Sequence, residues 1–211
     1  MADALIPASP AAAPSPNPGT LPVRGLCVFY GSAEVPRLFH SFLPGLVRRG
    51  KRVLCFDGGN LFNPLLIARF ARQERENPGE FQRNIRVARA FTCFQLTELL
   101  VRAPRLLRDF AADVLMVTAL PDLYFDEDVR EGPARASFRR ALCEIRRLEK
   151  RMAVAVFSDA TSWVTPRRIF FTALVAQADH VSQWQAGEAP EFAQGTSPSP
   201  HAALWPRKCS R

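Results

Sequence analysis

Five short apolar runs, each followed by a stretch that suits a helix, constrain this chain more than any other feature. The runs are Leu26–Tyr30, Arg52–Phe56, Ile85–Arg89, Val114–Thr118 and Ala153–Ser158. Each has strand length, and three close on a turn signal or a polar residue: Gly31, the series Asp57-Gly58-Gly59-Asn60, and Asp159. Helix-compatible segments lie between them at Arg37–Arg49, Leu65–Arg75, Thr92–Leu100 and Ala134–Lys150. In the last of these Phe138, Leu142, Ile145 and Leu148 share one face, while Arg139, Arg140, Arg146 and Arg147 point elsewhere. Thr92 and Gln95 have capping-box spacing, Pro64 suits a first helical turn, and Pro104 is expected to kink or divide its helix. A final helix and a short strand are expected to end near Trp184. Parallel strands need crossover connections of this kind, so the expectation is an α/β fold: one mostly parallel sheet with helices on both faces. Ligands in such folds sit outside the carboxyl ends of the strands, so the loops after Tyr30, Phe56, Thr118 and Ser158 matter most.

At 211 residues the chain suits one sizeable domain, and an apolar share of 47% can fill its core. Residues 1–22 are mostly Ala, Pro and Ser and bury too little apolar surface to offset ordering, so a disordered tail is expected there. A similar tail is expected over 187–211, leaving 23–186 as the domain. No apolar run approaches the ~18 residues of a membrane span, and no secretory signal is recognisable, so a cytoplasmic, non-membrane protein is expected. Cys27, Cys55, Cys93, Cys143 and Cys209 form no Cys-x-x-Cys pair and read as reduced core residues. His40, His180 and His201 are equally isolated, so no metal or Cys/His nucleophile is expected. A net charge of +8 is permissive for nucleic acid, but basic residues are spread along the chain with acids among them.

A phosphate-cradling loop after the first strand would need several glycines, a lysine and a hydroxyl for Mg²⁺. The segment here is Gly31-Ser32-Ala33-Glu34-Val35-Pro36-Arg37, with one glycine, no lysine, and a proline where amide donors are needed. The rest of the chain is more telling. The stretches Asp57-Gly58-Gly59-Asn60-Leu61-Phe62-Asn63-Pro64, Asn84-Ile85-Arg86-Val87-Ala88-Arg89-Ala90-Phe91 and Gln95-Leu96-Thr97-Glu98-Leu99-Leu100 occur in that order. They resemble the RadA-type recombinases, whose second strand ends in Asp-Thr-Glu-Gly-x-Phe-x-Pro. There it is followed by Asn-(x)₃-Ala-Arg-Ala and by a helix with Gln-x-x-Leu-Leu. The likeness runs weakly on through Val114–Thr118, Leu123-Tyr124, the arginine-rich helix and Ala153–Ser158, covering Gly25 to Trp184.

The resemblance implies a RecA-like, single-domain fold and marks where ATP hydrolysis would sit. Each such position differs here. The Gly-Lys-Thr/Ser of the phosphate loop is missing from the shortened segment between Gly31 and His40. The water-orienting glutamate matches Gly59, the magnesium-supporting aspartate matches Thr118, and the γ-phosphate-sensing glutamine matches Ala160. Phosphoryl transfer depends on positioning and electrostatics by these groups, so a non-enzyme without cofactor is expected. The first DNA-binding loop would follow Tyr124 and reads Phe125-Asp126-Glu127-Asp128, with Arg130 and Arg135 nearby as compensating cations. The second would fall at Thr161–Arg168, where Trp163, Arg167 and Arg168 offer a stacking ring and two cations, unless this is an ordinary surface loop. The Phe-x-x-Ala segment that joins subunits in the family is absent from the N-terminal tail.

Three functional readings follow. The first is a non-catalytic RecA/RadA-like accessory or regulatory factor in DNA recombination or repair, working through a protein partner such as a recombinase or repair factor and through weak DNA binding. The second is a nucleotide-binding ATPase with an unconventional phosphate site, in which Arg37 or Lys51 replaces the lost lysine. The third is a scaffold domain unrelated to DNA. Fold likeness alone is a weak warrant for choosing among them.

Overall fold

The computed structural model describes residues 21–73, 75–160, 164–184 and 191–194. The expected N-terminal tail, except Leu21 and Pro22, and most of the segment from 187 onwards lie outside those residues. The described chain forms one open seven-stranded sheet in the order β3-β2-β4-β5-β1-β6-β7. Its strands are β1 (Gly25–Gly31), β2 (Val53–Asp57), β3 (Ile85–Arg89), β4 (Val114–Thr118), β5 (Ala153–Ser158), β6 (His180–Trp184) and β7 (Glu191–Gln194). The first six are parallel. The seventh runs antiparallel to β6, in a stretch whose composition reads as a tail.

The alternation that marks the strands also divides the core. Leu26, Val28, Leu54, Phe56, Leu115, Val117, Val154 and Val156 point to one face. That face is covered by α4 (Cys93–Asp109), α5 (Glu131–Leu148) and α6 (Ile169–Val175). Cys27, Phe29, Val53, Cys55, Met116, Ala155 and Phe157 point to the other. They pack under α1 (Phe39–Arg48), α2 (Pro64–Gln73) and α3 (Pro78–Arg83). Strands β2, β4 and β5 are buried on both faces, which is why they read as continuous apolar runs. The fold is therefore the two-faced, mainly parallel α/β sheet expected.

Local chemistry explains the boundaries. Thr92 accepts from the Gln95 N–H, and the Gln95 side chain accepts from the Phe91 N–H, which closes the start of α4. Helix α4 continues through Pro104 and is not divided. Asn77 caps α3 by accepting from the Gly79 N–H, an Asn-Pro-Gly start that reads equally as a turn in sequence. Cys27, Cys55 and Cys93 are buried free thiols, and burial pushes Cys27 up to about 12. No helix among the described residues is long and apolar enough to cross a membrane.

Candidate functional site

The parallel strands deliver Gly31, Asp57, Thr118 and Ser158 to one edge of the sheet, where such folds hold ligands. What the edge holds is a set of internal ties. The loop after β1 folds into a tight 3-10 turn over Val35–Arg37 whose Val35 and Pro36 are buried. Most of its donors are used nearby: Ser32 N–H reaches the Trp184 carbonyl, and Val35, Arg37 and Leu38 N–H reach the carbonyls of Ser32, Glu34 and Val35. Gly31 has φ +149 and lies against β6 so closely that a Cβ would come within 1.8 Å of the Trp184 carbonyl oxygen. The guanidinium of Arg37 is exposed and faces Glu34 at 3.4 Å. A cradle of free amides facing a phosphate is not what this loop presents.

The next loop is built on Asp57, only 1% exposed. Its carboxylate accepts from the N–H groups of Leu61 and Phe62, each at 2.9 Å, and from the Thr118 hydroxyl at 3.1 Å. Arg89 approaches it at 3.7 Å. Thr118 in turn accepts from the Gly59 N–H at 3.2 Å. Gly58 lets this loop press onto β4, since a Cβ there would meet the Thr118 carbonyl oxygen at 2.7 Å. Buried His40 completes the frame. Its Nε2 accepts from the Asn63 N–H, leaving Nδ1 to donate to the Arg37 carbonyl. Burial holds its pKa below the usual histidine value, which suits this neutral role.

On the far side of Thr118, the buried Asp122 carboxylate accepts from the Ser158 hydroxyl at 2.6 Å. Ser158 Oγ also accepts from the Ala160 N–H at 2.9 Å. Burial pushes Asp122 up to about 8, and the neighbouring Asp159 charge adds to this against the Ser158 hydrogen bond.

Gly31, Gly59, Thr118 and Ala160 therefore do meet at one edge, and Arg37 borders it. Lys51 does not. It precedes β2 at the opposite, amino edge, bonded to Asp113 at 3.0 Å, which removes it as a substitute for a phosphate lysine. The residues expected to face DNA are dispersed. Trp163 lies outside the described residues. Arg167 turns inward, donating to the backbone carbonyls of Tyr124, Asp126 and Val129. Arg135 pairs with Glu131. Arg130, at the start of α5, and Arg168 are exposed or partly so, while Asp126, Glu127 and Asp128 lie at the surface between β4 and α5.

Sequence reasoning passes over Asp57, His40, Asp122 and Ser158. Asp57 stands in the RadA-like motif, but only its position beside Thr118 shows what it holds. No protein-family model matches the chain, and no curated protein sequence matches it.

Proposed function

We propose that this chain is a non-catalytic RecA/RadA-like protein, an accessory or regulatory factor in DNA recombination or repair that acts through protein contacts. The observation that carries the reading is the closed loop after β1. Val35 and Pro36 are buried in it, and the amides of Ser32, Val35 and Arg37 bond within the loop or to Trp184. Supporting it, Thr118 stands where the family's magnesium-supporting acid would be, and its hydroxyl is spent on Asp57. A Mg²⁺-nucleotide needs oxygen ligands and phosphate donors, and here Asp57, Thr118 and most amides of the loop after β1 are engaged in holding the loops themselves. The ordered RadA-like motifs supply the link to recombination.

Quantitative mass spectrometry of proteins retained by the tagged full-length chain, from cells with and without DNA damage, tests the reading. A recombinase or repair factor enriched after damage supports it. Retention of partners with no DNA-related role in either condition overturns it in favour of the unrelated scaffold.

A further inference from the structure

The amino edge of the sheet carries a cluster of cations at one corner. At its β3 corner, Arg52 precedes β2 and Arg86 lies in the edge strand β3, and both guanidinium groups rest against the ring of Phe110. The Cζ atoms stand 4.2 and 4.8 Å from the ring centroid, so the two charges are no farther apart than those distances combined. Phe110 is only 1% exposed, whereas Arg86 is exposed and Arg52 half-buried. Stacking holds the planes of the guanidinium groups while leaving N–H edges to meet an oxyanion. Among the described residues neither group has a carboxylate partner. Asp113 is within Coulombic reach of Arg52, but its two oxygens accept from Lys51 Nζ and from the Arg52 backbone N–H.

Exposed Arg83 and Arg108 sit in the last turns of α3 and α4, a few residues along the chain from Arg86 and Phe110. Their positions alone are what helix C-termini favour, so they enlarge the positive field without defining a site. Arg52 and Arg86 belong to no helix. Arg86 instead takes a place on the sheet face beside Leu54, where an apolar residue would pack. Glu80 and Asp109, both exposed, are acids of the adjoining helices, and Glu98 of α4 pairs with Arg102 on its own helix. Two guanidinium groups held by one ring concentrate positive charge at this corner, and an oxyanion meeting their free N–H edges lowers the cost of that concentration.

We propose that Arg52 and Arg86, held over Phe110, bind the phosphate backbone of nucleic acid at the amino edge of the sheet. The edge where the family likeness would put DNA carries Asp126, Glu127 and Asp128 and repels the same ligand. Nucleic acid is favoured over an anionic membrane because the aromatic ring is buried beneath its cations. Of the exposed large apolar residues among those described, Leu65, Phe91, Phe94 and Val164 lie in the loops and first helical turns that follow the carboxyl ends of strands, and only Val23 precedes β1. The site does not depend on the accessory-factor reading: finding a partner unrelated to repair leaves it standing, and failure of DNA binding leaves protein-mediated action untouched.

The test is fluorescence anisotropy of labelled single-stranded and duplex oligonucleotides with the full chain across a potassium chloride series. Arg52→Gln/Arg86→Gln is expected to weaken duplex binding at low salt roughly tenfold or more and to make the log–log salt slope shallower by about two. Arg130→Gln/Arg168→Gln, at the carboxyl edge, is expected to change affinity less than about twofold. No binding by the wild type at low salt, or loss confined to the second variant, overturns the proposal. So does stronger retention by phosphatidylserine vesicles than by DNA. Should the first variant fail to fold, phenylglyoxal modification of the wild type decides: bound DNA is expected to protect Arg52 and Arg86, and equal modification with and without DNA overturns the site.

Discussion

Thr118 donates its hydroxyl hydrogen bond to the buried carboxylate of Asp57 across 3.1 Å, tying the carboxyl ends of β4 and β2 together. The same hydroxyl oxygen receives the Gly59 N–H, so one threonine holds both the strand end and the loop that follows β2. Thr118→Val keeps the shape and removes the tie, leaving Asp57 and Gly59 short of a partner. Urea unfolding is expected to show a loss of about 1–3 kcal/mol. Thr118→Asp places a second carboxylate against Asp57 in a buried spot and is expected to destabilise further without creating ATP turnover.

Gly31 tests the closed loop from another side. Its φ is +149, and a Cβ added there would come within 1.8 Å of the Trp184 carbonyl oxygen, so a methyl group has no room. Gly31→Ala must push β1 and β6 apart at their carboxyl ends. The expected cost is about 2–4 kcal/mol in denaturant unfolding, from strain and overpacking together. A change below about half a kilocalorie, the scatter for surface substitutions, would show that the strand end gives way easily.

Asp122 should leave a signature in pH. Its folded-state pKa is raised, to about 8, so the folded protein holds a proton that the unfolded chain has already released above about pH 4. The stabilising contribution is complete below the unfolded value and declines as pH rises towards 8, by up to about 1.4 kcal/mol per pH unit. It is gone beyond that. Asp122→Asn keeps an acceptor for Ser158 and cannot ionise. The difference in stability between variant and wild type, followed by chemical denaturation from about pH 4 to 9, should therefore grow in the variant's favour up to about pH 8 and then level off.

Much of this architecture was legible in the chain because it rests on local pattern. The apolar runs at 85–89, 114–118 and 153–158 are strands with those same bounds, and the Thr92–Gln95 spacing does close a helix start. The departures have physical causes. Helix α3, which the periodicity does not announce, begins where Asn77 caps it. Pro104 lies inside a long amphipathic helix whose packed Leu96, Leu100 and Ala103 keep it continuous. The site was less legible because its ties span the sequence. Asp57 and Thr118 are 61 residues apart, and Asp122 and Ser158 are 36 apart. Periodicity carries no trace of such pairs. The inward turn of Arg167 was equally hidden, since a cation beside a tryptophan in a loop reads as an outward-facing group.

That inward turn has its own consequence. Arg167 binds three carbonyls of the segment between β4 and α5, so Arg167→Ala leaves those acceptors to water and frees the loop. Limited proteolysis is expected to cut near Asp126–Val129 faster in the variant, with global stability lower by about 1–3 kcal/mol. A variant that resists protease like the wild type while losing DNA affinity would instead give Arg167 an outward, ligand-facing role.

The edge where a recombinase would hold ATP is closed on itself by the ties of Asp57, Thr118 and the loop after β1. Isothermal titration of the purified full-length chain with MgATP, run alongside a phosphate-release assay, measures the consequence most directly. The expected result is no binding heat into the millimolar range and no release above background. Micromolar affinity, or turnover abolished by Arg37→Ala, would contradict the closure and return the chain to the nucleotide-dependent enzymes.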